Sequence, residues 1–190
     1  NDHIGTATTT TGTVTIGVVT GATPKTPGAN TPSLNTTDGT ITVPNNTPAG
    51  TYSIVYQICE KLNSGNCATS TALVTVATPT ITATPDTFTI TTGTSTSSVI
   101  DNDRIGTATT TTGTVTIGVV TGATPKTPGA NTPTLNPTDG TITVPNNTPA
   151  GTYSIVYQIC EKLNPGNCAT TTALVTVATP TITATPDTFT

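Results

Sequence analysis

The chain has 190 residues and a formal net charge of −4, and only 7% of its residues are charged and 3% aromatic. Five basic residues are too few for a nucleic-acid surface, which clusters Lys and Arg against phosphates. One histidine and nine carboxylates leave few groups that can transfer protons near neutral pH, so we expect that the protein is not an enzyme. No apolar run approaches the roughly 18 residues of a membrane span, so we expect no direct membrane insertion.

Threonine makes up almost a third of the chain, which raises the question of whether it folds. Apolar residues occupy every second position over 14–18, 52–58 and 72–76. A period of two is typical of β-strands with one buried face, and threonine itself favours strands. With 17 glycines and 16 prolines punctuating the chain, the pattern predicts an all-β fold rather than a disordered linker.

An internal repeat is the strongest signal in the sequence. Each residue from 1 to 89 aligns with the residue 101 positions later, and five of these 89 pairs differ, all at polar or turn positions: His3/Arg104, Ser33/Thr134, Thr36/Pro137, Ser64/Pro165 and Ser70/Thr171. A period near 100 residues predicts one whole β-sandwich per repeat, because solenoid repeats are much shorter.

The repeat sets the expected domain boundaries. Because proline ends strand pairing, we place a linker around Pro79 and its counterpart Pro180. Residues 79–179 then form a complete repeat, 1–78 a repeat that lacks its N-terminal strands, and 180–190 the first strand of a following repeat. We therefore expect the chain to be part of a longer array.

We predict strands and connecting turns or loops over the following segments: strands at 80–84, around Phe88 and Ile90, at 97–100, 113–120, 141–144, 152–162 and 168–178, with loops at 101–104, 122–133 and 145–151. About seven strands with turn signals every 8–12 residues indicate tandem immunoglobulin-like β-sandwiches.

Tyr153 follows a Pro-Ala-Gly-Thr turn at the start of a long predicted strand. A tyrosine at this place either bonds back to nearby backbone, as in a tyrosine corner, or simply fills the core. The sequence leaves both interpretations open. Lys126, in a Thr-Pro-Lys-Thr-Pro-Gly loop, is interpreted as a solvated side chain.

Each repeat contains one cysteine pair, Cys59/Cys67 and Cys160/Cys168. Strand parity puts both members of a pair on the face opposite the core, at the end of one hairpin. We therefore predict a cross-strand disulfide in each repeat, which implies an oxidising, extracytoplasmic compartment. Zinc is the alternative, but a C-x7-C spacing without a nearby histidine lacks the short paired spacings of zinc sites.

The cysteine hairpin also carries a family resemblance. The sequences TPAGTY (148–153) and YQICEKLNPGNCAT (157–170), with 99–103 and 135–144, resemble the repeats of giant cell-surface adhesins of gliding Bacteroidota, the SprB-type gliding-motility adhesins. The resemblance implies long filaments of tandem domains, exported by type IX secretion and attached to the outer membrane.

Asp101, Asn102 and Asp103 are the densest cluster of oxygen ligands, and we expect Asp86 to approach it from the inter-domain side. Calcium prefers such ligands, and the three aspartates are the candidate metal site. The alternative is an Asx turn in which the side chains bond their own backbone. We expect no other cofactor.

These observations predict a structural stalk or spacer repeat in a long bacterial adhesin filament, whose partners are the neighbouring repeats of the same polypeptide. The alternative is a module that binds carbohydrates or surfaces through the loops 122–133 and 145–151. We expect no catalytic residues, because the one histidine, His3, is replaced by Arg104 in the other repeat.

Overall fold

A computed structural model describes residues 1–188 and divides the chain into two compact units. Unit 1 spans Asn1–Pro79, and unit 2 begins at Thr80. The described residues are all-β, as the alternating pattern predicts, and they include no helix that could cross a membrane.

Unit 1 contains seven strands: β1 (His3–Ile4), β2 (Ala7–Thr8), β3 (Val14–Thr20), β4 (Ser33–Leu34), β5 (Ile41–Thr42), β6 (Gly50–Glu60) and β7 (Cys67–Val76). Its main sheet has the antiparallel order β3-β6-β7, so β7 is an edge strand. Two small antiparallel pairs, β1-β2 and β4-β5, complete the unit.

Unit 2 contains ten strands: β8 (Ile81–Thr82), β9 (Asp86–Ile90), β10 (Thr94–Ser95), β11 (Arg104–Ile105), β12 (Ala108–Thr109), β13 (Val115–Thr121), β14 (Thr134–Leu135), β15 (Ile142–Val144), β16 (Gly151–Glu161) and β17 (Cys168–Val177). The main sheet has the order β13-β16-β17-β9, and β9 pairs with β17 in parallel. A second sheet has the order β10-β15-β14, and a third the order β12-β11-β8.

The core of unit 2 lies between the main sheet and the β10-β15-β14 sheet. Inward residues of both sheets are buried together: Val115, Ile117, Tyr153, Ile155, Tyr157, Ile159, Ala173, Val175 and Val177 from the main sheet, and Leu135, Ile142 and Val144 from the other. Every second residue of β16 is buried, as its alternation predicts. Unit 2 is therefore a β-sandwich, and the predicted fold class is confirmed.

One predicted strand is wrong. Residues 97–100 are not a strand; they form an irregular segment that ends in a turn. Val99 and Ile100 still enter the core, and the Val99 amide donates a hydrogen bond to the Gly140 carbonyl oxygen (2.9 Å). Consecutive apolar residues cannot both face one side of a regular strand, because strand side chains alternate between faces. The structure also adds the short β11-β12 hairpin; of the loop predicted at 101–104, only Arg104 belongs to a strand.

Candidate functional site: the cysteine hairpin and the acidic pair

A tyrosine anchors the start of the long central strand in each unit. The Tyr153 hydroxyl donates a hydrogen bond to the Pro149 carbonyl oxygen (2.7 Å), and Tyr52 does the same to Pro48 (2.7 Å). Both rings are buried. The tyrosine-corner interpretation is thereby confirmed, since the side chain both fills the core and bonds back to its own turn.

The loop lysines contact these tyrosines. Lys126 Nζ lies 5.2 Å from the centre of the Tyr153 ring, and Lys25 Nζ lies 5.4 Å from the Tyr52 ring. A cation over an aromatic face within about 6 Å is attracted by the ring quadrupole. Lys126 is exposed, as expected of a solvated loop side chain, and its ammonium group in addition lies over the tyrosine ring.

The cysteines of each unit are joined across the β6-β7 or β16-β17 hairpin. Cys160 lies directly opposite Cys168 in the strand register, with Cα atoms 4.1 Å apart, and both are only partly exposed. Cys59 and Cys67 are joined in the same way. Each disulfide closes the last rung of a two-stranded ladder, so it prevents the hairpin from fraying at its loop end.

The hairpin loop is further bound to the segment before β13. The Lys162 amide donates to the Thr114 carbonyl oxygen (2.9 Å), and Lys162 Nζ donates to the Thr112 carbonyl oxygen (2.6 Å). The Glu161 carboxylate is buried and accepts a hydrogen bond from Asn167 Nδ2 (2.9 Å). The sequence did not reveal these bonds, because a glutamate next to a lysine at a hairpin tip usually indicates an exposed ion pair.

Unit 2 also buries a pair of aspartates around one tyrosine hydroxyl. Asp86 is 8% exposed and Asp103 is fully buried. The Tyr157 hydroxyl lies 2.9 Å from Asp86 Oδ2, 3.3 Å from Asp103 Oδ2 and 2.9 Å from the Val99 carbonyl oxygen. The single hydroxyl proton cannot be donated to all of these acceptors at once. The cluster joins β9, β16 and the segment before β11.

Two further donors complete the cluster. Asn102 Nδ2 donates to Asp86 Oδ1 (3.0 Å), and the Thr84 amide donates to Asp103 Oδ1 (2.7 Å). Burial raises the pKa of Asp86 to about 6, and the nearby charge of Asp103 adds to the shift. Burial likewise raises the pKa of Asp103. Below about pH 6, a proton on Asp86 therefore supplies the cluster with a further hydrogen-bond donor.

The structure brings two of the three calcium candidates together. Asp86 and Asp103 share the Tyr157 hydroxyl, whereas Asp101 is exposed. Within residues 1–188, no group of three or more His, Cys, Asp or Glu side chains is placed to hold a metal ion. The protein atom at the centre of the cluster is the Tyr157 phenol oxygen. Because its hydroxyl group lies within hydrogen-bond distance of both carboxylates, the two carboxylates can approach each other.

No protein-family model matches the sequence, and no curated protein matches it. Solved structures similar to it include mouse clustered PcdhgC3 EC1-3 (14% identity, TM-score 0.40), Protocadherin Gamma B2 extracellular cadherin domains 3-6 (12%, 0.38) and the human Desmocollin-1 ectodomain (12%, 0.35). Each alignment covers 88% of this chain, and 56%, 43% and 35% of those chains. The chain thus spans less than two thirds of their length. Likeness at this level carries no conclusion about function.

Proposed function

We propose that the chain is a stalk of tandem β-sandwich repeats that spaces an adhesive part of a long cell-surface filament away from the cell. The observation that carries the proposal is the near-identity of two copies at an offset of 101 residues, with every difference at a polar or turn position. A spacer can be built from many identical modules, because each module needs only to fold and to contact its neighbours.

The bracing of each unit supports the same role. Both units have a disulfide across the last hairpin, a tyrosine corner and a lysine over the tyrosine ring. These features hold the two ends of the longest hairpin. They resist local fraying, which is the first step of unfolding when a chain is pulled.

The proposal also places the chain outside the cell. Disulfides persist in oxidising compartments, which supports an extracellular position. The likeness of the cysteine hairpin to the SprB-type adhesin repeats extends the proposal to the outer membrane of gliding Bacteroidota, type IX secretion and gliding motility.

Imaging tests the stalk. We expect electron microscopy of the intact protein on cells to show a thin fibre of equally spaced domains. A compact particle without such spacing would contradict the proposal. Antibodies against the 157–170 hairpin should label the fibre along its length, because each complete repeat displays that hairpin.

Carbohydrate or surface binding through the loops 122–133 and 145–151 is the alternative function. Sugars stack on exposed aromatic rings. Within residues 1–188 no aromatic side chain is exposed, and Lys126 lies over the Tyr153 ring beside these loops. A glycan array probed with the 190-residue chain distinguishes the two functions. A stalk should give no binding signal above that of a control protein of equal net charge, whereas a binding module should give one.

Calcium binding by Asp86, Asp101 and Asp103 stays a prediction. A calcium-dependent rise in the melting temperature of unit 2 that is lost in Asp101→Asn would support it. An unchanged melting temperature at millimolar calcium would dismiss it.

A further inference from the structure

The first and last strands of the main sheet of unit 2 lie side by side. Along the chain, β9 is the first strand of this sheet and β17 is the last. They pair in parallel over five rungs, from Asp86 opposite Ala173 to Ile90 opposite Val177. The Ala178 amide donates a hydrogen bond to the Ile90 carbonyl oxygen (3.0 Å), which continues the ladder just past β17.

The parallel direction decides how a pull along the chain loads this pair. Tension in a tandem array enters the repeat before β9 and leaves it after β17. Because the strands are parallel, the two points of load lie at opposite ends of the ladder, about 13 Å apart along the strands. The strands are then sheared past each other, and all five rungs carry the load together. In an antiparallel pair both points would lie at one end, and the rungs would open one at a time.

We propose that the β9-β17 pair is the load-bearing element of the repeat, the contact through which a stalk transmits tension without unfolding. The inference rests on the proposed function, because only a chain held at both of its ends is under tension. It goes beyond that function by naming the contact that fails first under load and that sets the force a repeat withstands.

Side chains hold the end of β9 at which the load enters. The carboxylate of Asp86, the first residue of β9, lies 2.9 Å from the Tyr157 hydroxyl on β16. Asn102 Nδ2 donates to the same carboxylate (3.0 Å), and the Thr84 amide donates to Asp103 Oδ1 (2.7 Å). These bonds tie the start of β9 to β16 and to the segment before β11. The preceding strand, β8, pairs with β11 over two rungs, so a rising load passes on to this anchored end.

Core packing opposes sliding of β9 as well. Phe88 and Ile90 pack against the core, whereas Thr87 and Thr89 are exposed on the other face of the strand. A slip by one residue would turn every side chain of β9 to the opposite face, because strand side chains alternate. Such a slip would expose both apolar side chains to water and bury two threonines, in addition to breaking the rungs.

β17 is the fixed partner in this shear. Ten rungs pair it with β16, and the disulfide between Cys160 and Cys168 closes the end of that ladder farthest from the load. β17 cannot slide along β16, because the disulfide joins the two strands at that end. The weaker ladder in the path of the force is therefore the five-rung β9-β17 pair.

The direction of pulling tests the proposal most directly. Azide-bearing amino acids at positions 78 and 179 of the 190-residue chain attach handles on either side of unit 2, at exposed sites outside its strands. Single-molecule pulling between these handles shears β9 against β17. Handles at positions 92 and 179, also exposed and outside the strands, load the two strands of the same folded chain at one end, so that they peel apart.

We expect the mean unfolding force to be several-fold lower for the peeling handles, because one rung rather than five then carries the load at any moment. Equal forces in the two directions, or a higher force in the peeling direction, would overturn the proposal. Neither result touches the stalk, which is judged by the spacing of domains on cells. A compact particle on cells would contradict the stalk and leave the measured difference in force unchanged.

Two phenylalanine variants test the anchor at the loaded end. Tyr157→Phe removes the hydroxyl beside Asp86, whereas Tyr153→Phe removes the hydroxyl that bonds to Pro149, outside the β9-β17 pair. Both tyrosines are buried and lie on β16, so the two variants are matched. In the shearing direction we expect Tyr157→Phe to lower the mean unfolding force and Tyr153→Phe to leave it unchanged.

An equal loss of force in both variants would show that the force follows the overall stability of unit 2, and it would contradict the anchored pair. If Tyr157→Phe does not fold, the comparison of the two pulling directions still decides, because neither set of handles alters a residue of β9 or β17.

Discussion

At the residue scale, the buried aspartates of unit 2 make its stability depend on pH. Asp86 and Asp103 converge on one phenol, and the Tyr157 proton cannot serve all of its acceptors. A proton held by Asp86 resolves this shortage, so the cluster is most stable when the pair carries one charge rather than two.

The pH dependence follows from the raised pKa of Asp86. In the unfolded chain its pKa is close to 3.8, and in the folded chain it is about 6. The stabilising proton is therefore fully present in the folded state below about pH 4, and the stabilisation is lost as the pH rises toward and through 6. We expect the free energy of unfolding of the Asp86→Asn variant not to decline in this way. At pH 8 it should exceed that of the wild type by about 1–3 kcal/mol.

Thermal unfolding at pH 4.5 and pH 8 measures the effect. Asp101→Asn is the matched control, because it removes the same charge from an exposed position three residues before Arg104. If both variants follow the wild-type pH profile, the buried pair does not share a proton.

The tyrosine corner gives a second prediction. Tyr153→Phe removes the hydroxyl that bonds to Pro149 and leaves the ring and its lysine in place. We expect unit 2 to lose about 1–2 kcal/mol of unfolding free energy, the usual cost of an unpaired partner in a protected site. Tyr52→Phe is the control, and it should lower the stability of unit 1 only, as followed by amide exchange.

At the element scale, the long cysteine hairpin organises each unit. It supplies the two longest strands, its disulfide closes the loop end, and the tyrosine corner closes the other end. Apolar residues occupy every second position of these strands, so that one face packs on the core, and β-branched residues favour the pleated backbone.

Removal of the disulfide tests how far it stabilises the hairpin. The double substitution Cys160→Ala and Cys168→Ala should lower the free energy of unfolding of unit 2 by about 2–3 kcal/mol. This is the value that the chain-entropy model gives for so short a loop. Amide exchange should rise first in Glu161 and in the hairpin loop. An unchanged unfolding free energy would show that the Lys162 and Asn167 bonds hold the loop end without the disulfide.

The regular elements could be predicted from the sequence, whereas the irregular ones could not. The central strands follow from alternation at 52–58 and 72–76, and the cysteine pairing follows from strand parity. Val99 and Ile100 were expected in a strand because they are apolar and adjacent; only the tertiary fold shows that a turn can bury both. The pairing of Asp86 with Asp103 depends on a phenol 71 residues away from Asp86, which no local pattern indicates.

At the scale of the whole molecule, one sequence occurs twice with different surroundings. Unit 2 has the segment that covers its β17 edge and fills its core, and the core residues of unit 1 are correspondingly more exposed. The same few kinds of contact, repeated every 101 residues, would give a filament of equal links. The many threonines between inward apolar residues hydrate the strands without adding charge.

The most direct test of this account is single-molecule force spectroscopy of the chain with the sequence of residues 79–101 added before Asn1. Both units are then complete repeats of 101 residues, and each unfolds to an extended chain that its disulfide shortens by about 24 Å. We predict two unfolding events with equal length increments and equal mean forces, and both increments should grow by that amount when the disulfides are reduced. A single event, or two events with different increments, would contradict a filament built from identical 101-residue sandwiches.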